Sequence, residues 1–408
     1  MRLQVAITEL NERLGSSDPS QVTKYSVSQR FGVIPSSELE NRTMQAKSLE
    51  NYKVVSHENL VLNRFNAYKG ALGLAPDRGV VSPDYFVAQI NERIADPCFI
   101  RYFLLSQSSA DLIKRDMGGM GSGDPDSSAF SRFDVRSLMS MKIPIDDVHT
   151  QRAIADYLDR ETAEIDAMRA DLDEMERLLT ERRAAVIGNL LTSVPSKHCP
   201  ISVAADVTLG KMVQPRPNTA CDKKRPYVHA ANIRPDGRLD LEHSHKLMYF
   251  NPKEFSYYSI QEYDVLIVEG GKVGQPAYVT NDIDGYGFQN SILRLRSYTQ
   301  KSFGRYLYYA MLEAVTSGRV EVSVDSVSIP HFTAEKVSRF RIPLPPLSEQ
   351  RRIADEIDRE TAEIDSMLED ITKLRDLLAE RRAAVISAAV TGQIDIPASL
   401  DDKDEPHA

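Results

Sequence analysis

With 408 residues, 42% hydrophobic content and a formal net charge of −9, the chain has the bulk of a soluble globular protein with room for two to four domains. No run approaches the roughly 18 apolar residues of a membrane span, and the first residues, MRLQVAITELNERLG, lack the apolar stretch of a signal peptide, so a cytoplasmic location is expected. The three cysteines, Cys98, Cys199 and Cys221, have the spacing of neither a disulfide framework nor a CxxC knuckle, and the close pair His243 and His245 reads as a loop feature, so no metal site is expected.

Residues 1–142 read as a mixed α+β domain. The apolar run Asn59-Leu-Val-Leu-Asn63 has the composition of a strand and leads into the Gly-rich turn Lys69-Gly-Ala-Leu-Gly73. Phe99-Ile-Arg-Tyr102 opens a helical stretch, Gly118 to Asp126 is a Gly-rich loop, and Phe133 precedes a strand-like exit, Met141-Lys-Ile-Pro144.

Residues 143–193 read as one long helix, with Thr150 near its start as a capping residue. Apolar residues recur there at steps of four and three: Ile154, Leu158, Ile165, Met168, Leu172, Met175, Leu179 and Val186. That rhythm is the seam of a coiled coil. Its skipped steps fall on Glu161 and Arg182. About forty residues at 1.5 Å each make a helix roughly 60 Å long, too long to bury against one small domain.

After the linker Val194 to Pro200, residues 194–341 repeat the order of the first domain. Asp264-Val-Leu-Ile-Val268 precedes the turn Gly270-Gly-Lys-Val-Gly274, Phe303-Gly-Arg-Tyr306 opens a helical stretch, and Phe332 precedes the exit Phe340-Arg-Ile-Pro343. Residues 342–392 then form a second long helix, with Ser348 as capping chemistry at its start. Gln350 to Thr391 matches Gln151 to Thr192 at 25 of 42 positions without a gap, at an offset of 199. A long fixed period means a two-unit architecture. The second seam is Ile353, Ile357, Ile364, Met367, Ile371, Leu374, Leu378 and Val385, with its breaks on Glu360 and Arg381. Residues 393–408 form an acidic tail, expected to be disordered from Pro397 to Ala408.

Charge is divided unevenly among these segments. The helical segments carry 12 acidic against 6 basic side chains over 143–193 and 11 against 7 over 342–392, and the tail is acidic, so the two globular segments together are net basic. Such asymmetry is compatible with nucleic-acid contact by the globular domains.

At this point the chain resembles a known family, the specificity subunits of Type I restriction-modification systems. The resemblance rests on PLPPLSEQRRIADEID at Pro343 to Asp358, ERRAAVI at 181–187 and 380–386, VTGQID at Val390 to Asp395, NAYKGALG at Asn66 to Gly73 and GVVSPDY at Gly79 to Tyr85. The first helix departs from the family pattern, opening with Ile143-Pro-Ile-Asp-Asp-Val-His-Thr-Gln-Arg152 in place of the proline-rich form. The resemblance implies an α+β fold of two target-recognition domains separated by two long helices that pair as an antiparallel coiled coil, a pseudo-two-fold internal repeat. It implies one domain per half of a bipartite double-stranded DNA target and no catalysis by the chain itself. It also implies two methyltransferase subunits and a restriction endonuclease/translocase subunit as partners, with S-adenosylmethionine, and ATP with Mg²⁺, held by those partners.

For DNA contact the candidates are Arg64, Lys69 and Arg78, which bracket the Gly-rich turn of the first domain, and Arg216, Lys223, Lys224, Lys272 and Arg294 in the second. Glycine lets a backbone approach a phosphate closely, and a lysine beside it can neutralise that phosphate. Gln289 and Asn290 can make bidentate contacts with adenine. Two other readings compete. A coiled-coil scaffold or adaptor without DNA readout would need only the seams. An independent enzyme is poorly served: Asp96-Pro-Cys-Phe99 and Asn251-Pro-Lys-Glu254 lack the second proline of an amino-methyltransferase motif, and Gly270-Gly-Lys-Val273 has neither the earlier glycine nor the Ser or Thr of a P-loop.

Overall fold

A computed structural model describes residues 1–15, 22–39, 48–115, 117, 132–242, 246–281, 283, 285–324, 331–394 and 396. The Gly-rich stretch 118–126, the pair His243 and His245, and most of the acidic tail lie outside the described residues. The chain forms two compact units, Met1–Leu172 with Thr372–Ala408, and Asp173–Ile371. Each unit therefore takes one globular domain and one half of each long helix, Val148–Thr192 and Leu347–Val390.

In the first unit, strands β1 (Ile7–Glu9), β2 (Leu60–Asn63), β3 (Leu72–Leu74) and β4 (Tyr85–Ile90) form an antiparallel sheet in the order β1-β4-β2-β3. Side chains alternate across a strand, and both faces of this sheet are covered. Leu60, Leu62, Phe86 and Ala88 face a core shared with helix α1 (Pro97–Leu105), whereas Val61 and Val87 face a second cluster with Tyr25, Val27 and Val33. Asp96 caps α1 by accepting from the Phe99 amide at 2.9 Å, with Pro97 in the first turn, where a missing N–H costs nothing. The domain closes end to end: Leu3 N donates to Met141 O and Ile143 N donates to Met1 O, both at 2.8 Å.

The second unit repeats this plan. Strands β5 (Ala205–Leu209), β8 (Val265–Val268), β9 (Pro276–Tyr278) and β11 (Ile292–Ser297) form an antiparallel sheet in the order β5-β11-β8-β9, the same path as in the first unit. Strands β6 (Lys223–Val228), β7 (Lys246–Phe250) and β10 (Gly287–Phe288) add a second sheet in the order β7-β6-β10. Helix α2 (Gly304–Thr316) covers the first sheet with Tyr306, Leu307, Ala310 and Met311, all fully buried. Closure is again end to end, His198–Pro200 pairing with Arg341–Pro343. Phe133 and Phe332 occupy equivalent buried positions, their amides donating to Arg64 O and Glu269 O at 3.1 and 2.8 Å.

Within each unit the two helix segments run antiparallel. In the first, Ile154 and Leu158 share a core with Ile386, Ala389 and Val390, and Glu161 reaches Arg381. In the second, Ile187 and Leu191 share a core with Ile353 and Ile357, and Arg183 bonds Asp365 at 2.6 Å. The matching pair in the first unit is Arg382 with Asp166, at 3.6 Å. The two pairs exchange roles between the copies, which is the signature of a pseudo-two-fold repeat.

The seam differs from its sequence prediction in one row. Ile154, Leu158, Ile165, Ile353, Ile357, Ile364 and Ile371 are buried, and Leu172, Leu179 and Leu378 are half-buried. Met168 and Met367, expected in the seam, are 41% and 43% exposed, and Met175 and Leu374 are exposed with them. Between leucine or isoleucine positions seven apart, the helix buries the residue four steps on, not three. Buried Thr162 and Thr361, not Glu161 and Glu360, therefore interrupt the apolar row, and Arg183 and Arg382 stand where Arg182 and Arg381 were expected. The threonines satisfy their hydroxyls within the helix, on Leu158 O and Ile357 O at 2.7 and 2.8 Å. The first helix start also differs: Asp147 caps it, accepting from the amide and the hydroxyl of Thr150 at 2.7 Å each.

Truncating a buried seam residue, Ile165→Ala or Ile364→Ala, is expected to lower stability by about 2–4 kcal/mol. Met168→Ala or Met367→Ala should cost less than about 0.5 kcal/mol. Denaturant midpoints of the four variants check the assignment, and equal losses at methionine and isoleucine would reject it.

Candidate nucleic-acid interface

In the second unit the candidate residues lie on one edge and two loops of the β6 sheet. The chain leaves β5 at Leu209 and passes so close to the turn after β10 that a Cβ on Gly210 would sit 2.2 Å from Gln289 O. Only glycine permits that approach. The crossing is fixed by main-chain bonds, Lys211 N to Phe288 O and Asn290 N to Lys211 O, both at 3.0 Å. The side-chain amides of half-buried Gln289 and Asn290 make no hydrogen bond among the described residues, so their donors and acceptors are free to meet a ligand.

Beyond the crossing, the loop to β6 is gathered by Asp222. Its carboxylate accepts from Thr219 Oγ1 at 2.6 Å, Asn218 N at 2.8 Å, Gln214 Nε2 at 2.9 Å and Thr219 N at 3.3 Å. The Thr219 hydroxyl first, with these further donors, holds the carboxyl well below the usual carboxylate range. Arg216, Lys223 and Lys224 are exposed around this loop, Lys223 and Lys224 opposite Phe250 and Tyr249 of β7. Gln289 lies beyond the far end of β6, which places the amides and the lysine pair roughly 15–20 Å apart, about five residues of strand. Lys272 is exposed on a different turn, held by Gly271 and Gly274 at positive φ.

Arg294 does not belong to this surface. It is 3% exposed, and its guanidinium donates to Tyr257 O and Ser259 O at 2.9 Å each, to Thr208 Oγ1 at 3.1 Å and to Asp206 at 3.3 Å. Burial, with repulsion from Arg296, pushes its pKa down. Its place in the middle of β11, facing inward, makes it a tie between strand and helix end. Lys211 was missed by sequence reasoning, although its position next to Gly210 was the available signal. It pairs with Glu254 and lies 5.9 Å from the rings of Phe250 and Tyr258.

In the first unit Lys69 and Arg78 are exposed, Lys69 over the Tyr68 ring beside the left-handed Gly70. Arg64 is half-buried and partly committed to the fold, donating to Phe133 O at 3.1 Å and lying over the Phe133 ring. The two strings weighed as methyltransferase remnants have structural work: Asp96 caps α1, and Asn251 with Glu254 forms a capping box for helix Pro252–Tyr258. Among the described residues, no group of three His, Cys, Asp or Glu side chains is placed to hold a metal ion, and no helix is long and apolar enough to cross a membrane.

Comparison with known proteins bears on the same region. The family model described as Type I restriction modification DNA specificity domain matches residues 211–374. The Type I restriction enzyme EcoBI specificity subunit of Escherichia coli is 31% identical over 100 residues, 24% of this chain and 20% of that one. The Type I restriction enzyme StySPI specificity subunit of Salmonella potsdam is 23% identical over 271 residues, 62% and 58% of the two chains. The matched stretches thus span less than two thirds of either relative. A solved chain described as "Structural basis underlying complex assembly and conformational transition of the type I R-M system" covers 97% of both chains at 15% identity with a TM-score of 0.59, a likeness of fold.

Gly210→Ala is expected to destabilise the second unit by about 2–4 kcal/mol, because a main-chain oxygen cannot move aside as a side chain would. The Asp222 loop carries a pH signature with a definite sign. Since the folded carboxyl titrates below its unfolded value, the bonds that order residues 214–222 are present above the ordinary carboxylate range and disappear only as pH falls beneath it. Hydrogen exchange of the Asn218 and Thr219 amides should stay slow from pH 7 down to about 4. In Asp222→Ala it should be fast throughout, and slow exchange in that variant would reject the loop's dependence on the carboxylate.

Proposed function

Because this chain belongs to the specificity subunits of Type I restriction-modification systems, we propose that it reads a bipartite double-stranded DNA target, one half-site per globular domain, without catalysis of its own. The observation that carries this reading is the duplication itself. Two domains with the same four-strand path, each closed end to end and feeding a long helix, keep a common frame. Their candidate contact residues differ: Lys69 and Arg78 in one, Lys211, Arg216, Lys223, Lys224, Gln289 and Asn290 in the other. Lysines and arginines supply phosphate contacts and salt-dependent affinity, whereas amides discriminate bases.

The long helices serve in this reading as a ruler. A rigid helix pair sets both distance and rotational phase between two readers, whereas a flexible linker sets neither. The acidic faces of the helices disfavour DNA along their length and leave the net basic domains to bind it.

The exposed apolar row on the helices supports partner docking. Met168, Met175 and Leu178 are 41–51% exposed, and the residues 199 positions later, Met367, Leu374 and Leu377, are 43–59% exposed. Each copy keeps apolar side chains where its own seam does not use them, as expected of a face that receives an equivalent partner twice. In this reading the partners are two methyltransferase subunits and a restriction endonuclease/translocase subunit. S-adenosylmethionine, and ATP with Mg²⁺, belong to those subunits.

Two outcomes test these proposals. Four residues added near the start of the first long helix, about one turn and about 6 Å, should shift the preferred spacer by one or two base pairs, at about 3.4 Å each, with both half-sites unchanged. Sequencing of modified adenines in a host carrying the system reads this directly, and an unchanged spacer rejects the ruler. Separately, Met175→Glu and Met367→Glu should weaken capture of the methyltransferase subunit about tenfold or more, with little change in thermal midpoint. Undiminished capture would remove the helices from the partner interface.

A further inference from the structure

We propose that Gln151 and Gln350 are positioning residues that set the angle at which each recognition domain leaves its long helix, and so the spacer that the protein accepts. The inference rests on the bipartite reading above. Both side chains are fully buried, although each carries a polar amide. Gln151 Oε1 accepts from the Asp96 amide and its Nε2 donates to Ile145 O, both at 2.8 Å. Gln350 Oε1 accepts from the Phe303 amide at 3.0 Å, and its Nε2 donates to Lys301 O at 3.0 Å and Pro345 O at 2.8 Å. Each amide thus joins three places: the first turns of a long helix, the segment entering it, and the domain just ahead of α1 or α2.

One attachment would leave a domain free to swing about it. A second lies eight residues further along each helix, about two turns away. There Arg101 meets Asp159 at 2.8 Å with Tyr102 donating at 2.6 Å, and Arg305 meets Asp358 at 2.6 Å with Tyr309 also donating. Two points on one helix, both tied to the same domain helix, define an orientation. The glutamines and the aspartates each recur at the 199-residue offset of the helices, although the domains around them have diverged.

The partners of the glutamines are all main-chain groups. A clasp of this kind depends on the path of the domain backbone and not on its side chains, so recognition surfaces can change while their mounting stays the same. A buried amide that loses its partners is costly, which makes the mounted angle strongly preferred over its neighbours.

The test uses the assembled specificity–methyltransferase complex and its mapped DNA target. Methylation is measured on duplexes with both half-sites constant and spacers from two base pairs shorter to two longer than the natural one. For Gln350→Met, and for the milder Asp358→Asn, the preference for the natural spacer over its neighbours should fall about fivefold or more, with half-site preference unchanged. A merely structural role would lower stability and reduce methylation equally at every spacer, and either variant tracing the wild-type spacer profile overturns the proposal. If the wild-type complex itself shows no dependence on spacer, the bipartite reading fails first and this inference falls with it. Hydrogen exchange at the Phe303 amide reports independently that Gln350→Met has opened the clasp, and continued protection there would also count against it.

Discussion

A helix with apolar residues on two neighbouring rows can bury only one of them, and that choice governs the rest of this molecule. From Leu158, Ile165, Leu172 and Leu179, a step of three reaches Glu161, Met168, Met175 and Arg182, whereas a step of four reaches Thr162, Arg169, Glu176 and Arg183. By side-chain hydrophobicity the first row is better in the middle, yet both copies bury toward the second. Threonine accepts burial because its hydroxyl bonds the preceding turn. Arginine accepts partial burial because a long apolar stem lies along the seam and its head finds a carboxylate, Arg183 on Asp365 and Arg382 on Asp166. The row with polar residues is stabilised by specific partners, and the apolar row remains exposed.

The domains hang on this frame by a simple topological device. In each, the first residues pair with the last, Met1–Leu3 with Met141–Ile143 and His198–Pro200 with Arg341–Pro343. A closed domain presents its entry and exit side by side, so its interior can vary without disturbing where the chain leaves. The additional three-stranded sheet of the second unit illustrates the freedom. Strands β6, β7 and β10, which carry Lys223, Lys224, Arg225 and Lys246, are inserted between elements whose order matches the first unit.

Much of this architecture was legible because it was written twice. The offset of 199 residues exposed the long helices, and the order of apolar run, Gly-rich turn, helix and exit exposed the shared domain plan before any strand pairing was known. The errors came where a residue's role depends on a partner that periodicity does not see. Met168 and Met367 satisfied a heptad count but lost to a row held by ion pairs. Arg294 looked like a surface cation because arginine is rarely buried, yet its neighbourhood holds two main-chain carbonyls, a hydroxyl and a carboxylate. Thr150 was plausible as a cap, but Asp147 stands three residues ahead and accepts from it. Lys211 was overlooked because its significance comes from a strand crossing at Gly210, a contact between residues almost eighty positions apart.

The buried polar residues also bear on why the helix pair keeps one register. An entirely apolar seam gives similar contact after a slip of seven residues, since leucine and isoleucine recur at that interval. A slip here would move Arg183 away from Asp365 and Arg382 away from Asp166, leaving half-buried guanidinium groups without their carboxylates. Removing one partner of such a pair is destabilising even where the intact pair contributes little. Because the two ion pairs are reciprocal, both are lost in the same slip, and the penalty is doubled for a single displacement. In the proposed role of the helices as a ruler, a discrete register matters more than the last increment of stability. Apolar residues in place of these pairs would remove the penalty that distinguishes one register from the next.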